Sequence, residues 1–215
     1  VANFSKALKT ALADTSTKAR LQALGGLREL QRAKPGEAGF QEAAALGLQA
    51  CSPALNWRSV PVPEAALQAM LPCKPEQATR TVELAGTPLA MSMLGCDADG
   101  ATFAVSYARL ADPSQVGRAL EHWQAAALAR MGGPALVPGA APAPQPFVPP
   151  GALAVPQAVR TTVLGRRPDG AAVAAQAVWF ARAVGGEVLV YHALVLSPKP
   201  QPAVADTFFA GLELK

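Results

Sequence analysis

The chain has 215 residues, 51% hydrophobic and only 16% charged, which excludes a disordered polyelectrolyte and leaves enough apolar side chain to bury a core. Its net charge of +4 is concentrated at one end: residues 1–34 hold seven Lys/Arg and two acids, and residues 35–215 the other twelve bases and thirteen acids. The main body therefore has no global electrostatic reason to bind nucleic acid, and no apolar run reaches the ~18–20 residues that span a bilayer.

Residues 1–50 read as a basic helical segment or leader. Phe4, Leu8 and Leu12 recur at helical spacing, and Asp14-Thr15-Ser16-Thr17 is a polar break that can cap a second helix. That helix carries Leu21, Leu24, Leu27 and Leu30 as a stripe, is weakened by Gly25-Gly26, and ends at Pro35-Gly36. An alanine-rich third helix is expected over 37–50. Three roles are open to the segment: a solvated appendage, a basic amphipathic surface that touches an anionic membrane or a partner, or a leader with no mature role.

Ala43 to Cys51 is a short apolar stretch closing in Leu48-Gln49-Ala50-Cys51, and it resembles the end of a bacterial lipoprotein signal. That resemblance implies cleavage before Cys51, a diacylglyceryl group on its thiol and the loss of residues 1–50 from the mature protein. Gln49 stands where such signals usually carry a small residue, and Glu42 shortens the apolar run. The other reading of Cys51 is a buried helix cysteine packing as a small apolar residue.

Residues 51–66, with Pro61 and Pro63, read as an extended connector, and 67–215 as the main domain. In that domain Ala78, Arg80, Val82 and Leu84 alternate with polar residues, and Ala85-Gly86-Thr87-Pro88 turns the chain. A second strand carries Leu89, Met91 and Met93 on one side, Asp97-Ala98-Asp99-Gly100 is a hairpin signal, and a third strand carries Phe103, Val105 and Tyr107. Asp112-Pro113-Ser114-Gln115 opens a helix with a cap, a first-position proline and a glutamine that can reach back. Val116, Leu120, Trp123 and Leu128 mark its core side, and Gly132-Gly133 stops it. Residues 134–156 hold eight prolines and read as a crossover loop, with a docking peptide as the alternative. Strands are expected over 159–164, 172–181 and 188–196, the last apolar on both faces as a covered central strand should be. A closing helix carries Val204 and Phe208, with Gly211 as its cap.

No constellation has the spacing that catalysis or metal binding needs. The chain lacks a GxSxG elbow, an HExxH pair, a phosphate-cradling loop and a CxxC pair. His122 and His192 read as structural or surface histidines, and Asp97 and Asp99 as turn residues rather than a calcium loop, because Gly100 comes too early. No catalytic residue, cofactor or metal is expected, and the protein is read as a non-enzyme, with an enzyme of unrecognised site as the alternative that a pocket of convergent polar groups would revive.

Three strands, helix, long loop, three strands and short helix is an order that resembles the PsbP-like fold, shared with the Ran-binding Mog protein of eukaryotes. Leu71-Pro72-Cys73-Lys74-Pro75 resembles the Phe-Pro-Gly-Lys-Pro that opens many bacterial members. Gly100 to Tyr107 is similar to their third strand, and Asp206 to Leu212 to their closing helix. More narrowly, the chain resembles proteobacterial envelope lipoproteins in which a lipid-box cysteine precedes a Trp-containing connector and a Pro-Cys-Lys-Pro strand. The resemblance implies an α+β fold, a central antiparallel sheet of about six strands covered by helices as an α/β/α sandwich, with the N-terminal helical segment outside it. It also gives Cys73 and Cys96 a meaning as a disulfide pair, for which Gln77 would fall roughly opposite Cys96 in the first hairpin. Two reduced thiols in a cytosolic protein are the alternative.

The expected function is therefore a non-enzymatic accessory or binding protein of the periplasm, free or anchored to the membrane as a lipoprotein. It would act on an unknown protein partner of the envelope, touching the membrane through the lipid or the basic segment, with no nucleic acid. The alternative is a carrier of a small apolar ligand held between sheet and helix by Met91, Met93, Trp123 and Trp179, for which plain core packing is the competing account.

Overall fold

The computed structural model describes residues 54–130, 143–166 and 170–215. The expected helices of residues 1–50, and Cys51, lie outside the described residues. Within the unit Leu55–Lys215, Arg58–Val62 (β1) and Leu67–Leu71 (β2) pair antiparallel around a short 3-10 turn, Pro63–Ala65. Part of the expected connector is thus a strand. Pro61 and Pro63 argue against one in the sequence, but β1 is the edge of its sheet, where a missing N–H breaks no ladder.

The main sheet begins with Glu76–Leu84 (β3), Thr87–Ala98 (β4) and Ala101–Leu110 (β5), a meander joined by two-residue turns. Ala85 and Gly86 have φ of 53° and 83°, and Asp99 and Gly100 of 50° and 70°. Such left-handed pairs match the twist of the flanking strands. The first turn is tighter than expected: Thr87 and Pro88 already belong to β4, and Pro88 lies beyond the β5 ladder, which starts at Met91.

Asp112 caps the following helix, its Oδ1 accepting from the Ser114 N–H at 2.9 Å, and hydrogen bonding from the Ser114 side chain and backbone holds its carboxyl below the usual range. After the 3-10 turn Pro113–Gln115 the helix Val116–Arg130 (α1) buries Ala119, Leu120 and Trp123. Gln145–Pro146 (β6), Val159–Arg166 (β7), Ala172–Val184 (β8) and Glu187–Ser197 (β9) complete an antiparallel sheet of seven strands, ordered β3-β4-β5-β9-β8-β7-β6. Pro202–Ala210 (α2) ends at Gly211, and Leu212–Leu214 (β10) then pairs with β2. As the sequence suggests, Gly211 caps this helix, and its carbonyl accepts from the Met70 N–H at 3.0 Å. The chain is thus mainly antiparallel sheet with two helices among the described residues, a mixed α+β fold in which no sheet closes into a barrel.

The sheet is buried on both faces. On one, Phe103, Val105, Phe180, Tyr191 and Val195 pack under the small sheet and under Ala205, Phe208 and Phe209 of α2. Trp57 stands edge-on to Phe103 at 5.9 Å, so the tryptophan before β1 belongs to this core. On the other, Met91, Ala108, Trp179, Val188 and Val190 pack under α1. The described part of the proline-rich stretch is an ordered strap: Phe147 lies against Phe180 and Phe209, and the Leu153 N–H donates to the Ala181 carbonyl at 2.7 Å.

Two interactions tie the layers together. Cys73 and Cys96 form a disulfide between residues 23 apart, joining the segment before β3 to β4. The register differs from the expected one: Gln77 pairs with Leu94 and Glu76 with Gly95, so Cys96 lies one position past the end of that ladder. The buried Tyr191 hydroxyl donates to the Ala65 carbonyl at 2.6 Å, fixing the β1–β2 turn to the main sheet, and burial pushes its pKa up.

Replacing both Cys73 and Cys96 by Ser releases a closed loop and is expected to lower the unfolding free energy by about 3 kcal/mol, read from the shift in urea midpoint. Tyr191→Phe removes the donor and leaves the Ala65 carbonyl buried without a partner. It is expected to lower stability by about 1–3 kcal/mol in the same assay.

Candidate functional site

Alternation along β4, β5, β9 and β8 places one residue of each strand in a row across the face under α1. Met93 pairs with Ser106, Ser106 with His192 and His192 with Trp179. In-phase neighbours Met91, Leu194 and Ala177 extend the row. From above, α1 presents Trp123, Ala126 and Ala127. Between these surfaces is a cavity of about 340 Å³.

Met91, Met93, Trp123 and Trp179 all line this one cavity. Their exposure is graded: Trp179 is 1% exposed, Trp123 7%, Met91 8% and Met93 40%. The tryptophans form the closed end and Met93 the mouth. The thioethers add polarizable, adaptable surface, and Trp123 and Trp179 large rigid walls. Cys73 and Cys96 border a separate groove beside it, to which Met93 also contributes.

His192 is the residue that the sequence reading left out of this pocket. Its ring stacks on Trp179 at 4.6 Å and 13° and meets Trp123 edge-on at 5.5 Å. Its Nε2 and the Nε1 of Trp179 are both buried without a hydrogen-bond partner. Two unpaired polar atoms buried in this wall are unfavourable, each by about 1–3 kcal/mol. The signal for burial was present: His192 lies in phase with Val190 and Leu194 on a strand apolar on both faces.

His122 has a different task. Its Nδ1 accepts from the Ala85 N–H at 3.3 Å, and the Arg118 guanidinium donates to the Ala85 carbonyl at 3.4 Å, so α1 is fixed to the β3–β4 turn. Exposed Arg80 and Glu83 of β3 and Arg130 of the last turn of α1 complete the charged lining. Among the described residues no cluster of His, Cys, Asp and Glu could hold a metal ion. The site also lacks a nucleophile paired with a base: among the described residues Ser106 is opposite His192 in the ladder, but no hydrogen bond joins them. What the arrangement can do is enclose an apolar group. Compared with known protein families and with curated proteins, the chain matches none.

Burial depresses the His192 pKa from 6.5 to about 4. Between these values the unfolded chain binds a proton that the folded one refuses, so stability rises with pH across the window. The His192 contribution is complete above about pH 6.5 and is lost as pH falls toward 4, by on the order of 3 kcal/mol. His192→Phe keeps the stack on Trp179 and removes the titration. Urea unfolding at about pH 7 and about pH 4.5 is expected to show a markedly smaller acid loss for the variant.

Proposed function

We propose that the protein is a non-enzymatic binding module that holds a small, mainly apolar ligand between α1 and the main sheet. The observation that carries this reading is the convergence of Met91, Met93, Trp123 and Trp179 on one cavity whose wall keeps two buried polar atoms unpaired. A pocket lined by apolar and aromatic side chains with a few convergent polar groups is the usual form of a small-molecule site. A core packed only for stability would be expected to give buried polar atoms of this kind hydrogen-bond partners.

The module belongs, in this reading, to an oxidising envelope compartment. The Cys73–Cys96 disulfide supports it, because such bonds persist outside the reducing cytosol. Lipidation of Cys51, a periplasmic location, an envelope protein as partner and kinship with the PsbP-like fold belong to the same proposal. Their support is the lipid-box-like sequence, the Pro-Cys-Lys-Pro segment and the antiparallel sheet with helix cover.

Native mass spectrometry of the protein from its own cells is expected to show a noncovalent adduct that denaturation removes. Ala126→Phe, which fills the cavity from the helix side, is expected to abolish the adduct with the fold retained by circular dichroism. A chain that carries no adduct, and whose tryptophan fluorescence no apolar probe alters, would overturn the ligand reading.

A further inference from the structure

The cavity is apolar within but cationic at its lip. Among the described residues Arg58, Arg118, Arg166 and Arg182 each donate to a backbone carbonyl, and Arg109 and Arg160 each pair with a carboxylate. Arg80 and Arg130 are the described arginines without a hydrogen bond or ion pair, and both line this cavity. Arg80 pairs with Met91 in the β3–β4 ladder and is in phase with Val82, which puts it on the face that α1 covers. Glu83 also borders the cavity, out of phase with Arg80 along β3, and leaves two guanidiniums in excess over one carboxylate.

We propose that the ligand is an anionic amphiphile with a single short apolar chain, its body against Trp123 and Trp179 and its charge met by Arg80 and Arg130. This inference rests on the ligand reading of the same pocket. A guanidinium left unpaired beside an apolar cavity offers a carboxylate a charge-assisted, bidentate contact that an uncharged ligand cannot use. The end of α1 carries partial negative charge, which Arg130 offsets for an approaching anion. Size limits the class: about 340 Å³ is at the small end of the usual ~300–1,000 Å³ for ligand sites, too little for a two-chain lipid.

The test uses the full chain with its disulfide intact and titrates decanoate, decanol and palmitate, each as monomer, by tryptophan fluorescence and calorimetry. Decanoate is expected to bind about tenfold more tightly than decanol, and palmitate no more tightly than decanoate. The exposed double substitution Arg80→Gln and Arg130→Gln is expected to erase that preference, weakening decanoate about tenfold relative to decanol. Ala126→Phe is expected to lose both ligands. Equal binding of decanoate and decanol to the unsubstituted chain would overturn the anionic inference while the apolar pocket stands. No binding of either would overturn both. Attachment to phosphatidylglycerol vesicles without uptake of monomeric decanoate would also overturn the inference, because it would place the charge recognition on a membrane surface.

Discussion

β9 presents apolar side chains to both faces of the sheet, so neither face can be left to water. Tyr191, Ala193 and Val195 face one way, Val190 and His192 the other, and all are buried. The β8–β9 ladder shows the same division, with a stacked pair on each face: Phe180 on Tyr191 at 4.7 Å, and Trp179 on His192 at 4.6 Å. A strand of this kind requires three layers. The first cover comes from the chain ends of the domain, where β1, β2, α2 and β10 close over Phe103 and Phe180. The second is α1.

The two covers are unequal, and the cavity follows from the inequality. A seven-stranded sheet is about 29 Å wide, from six spacings of ~4.8 Å. A helix with its side chains is ~10 Å across, and the 15 residues of α1 extend about 22 Å. One such helix seals only a band of the sheet. Large side chains fill the space next to it, which is why Trp123 descends and Trp179 lies flat against His192. Beyond the band, wall exposure rises to that of Met93 at 40%. The same geometry explains why a histidine is tolerated here. Its ring packs like an aromatic one, and its unpaired nitrogen is at the wall of a space that can be filled.

Much of this was legible in the sequence, and the boundary has a physical cause. Asp99-Gly100 and Gly185-Gly186 are two-residue turns, and such turns fix register by themselves. Counting back from Gly185-Gly186 pairs Val184 with Glu187 and therefore Trp179 with His192, so that stack could have been derived. The β5–β9 ladder could not. It joins strands separated by α1 and the proline-rich stretch, and only tertiary packing sets Ser106 against His192. β1 and β10 were missed for another reason: one carries an edge proline and the other has three residues, so neither shows the alternation that marks a strand. The proposed roles of Arg80 and Arg130 rest on the partners of every other described arginine, which no periodicity supplies.

The disulfide and the pocket meet in β3. This strand is the sheet edge, held by β4 alone, and its charged residues Glu76, Arg80 and Glu83 suit an edge that must not recruit another strand. It also supplies Arg80 and Val82 to the pocket wall. An edge strand paired on one side would fray, but both its ends are clamped. Cys73, just before it, is bonded to Cys96, and the Ala85-Gly86 turn after it is fastened to α1 by His122 and Arg118. Clamping both ends fixes the wall, and for a ligand of the proposed kind that would reduce the ordering entropy lost on association. In a reducing compartment one clamp would open and the wall would loosen from the Cys73 end. The oxidising compartment proposed for the protein is thus also the one in which the proposed pocket would be best organised to bind.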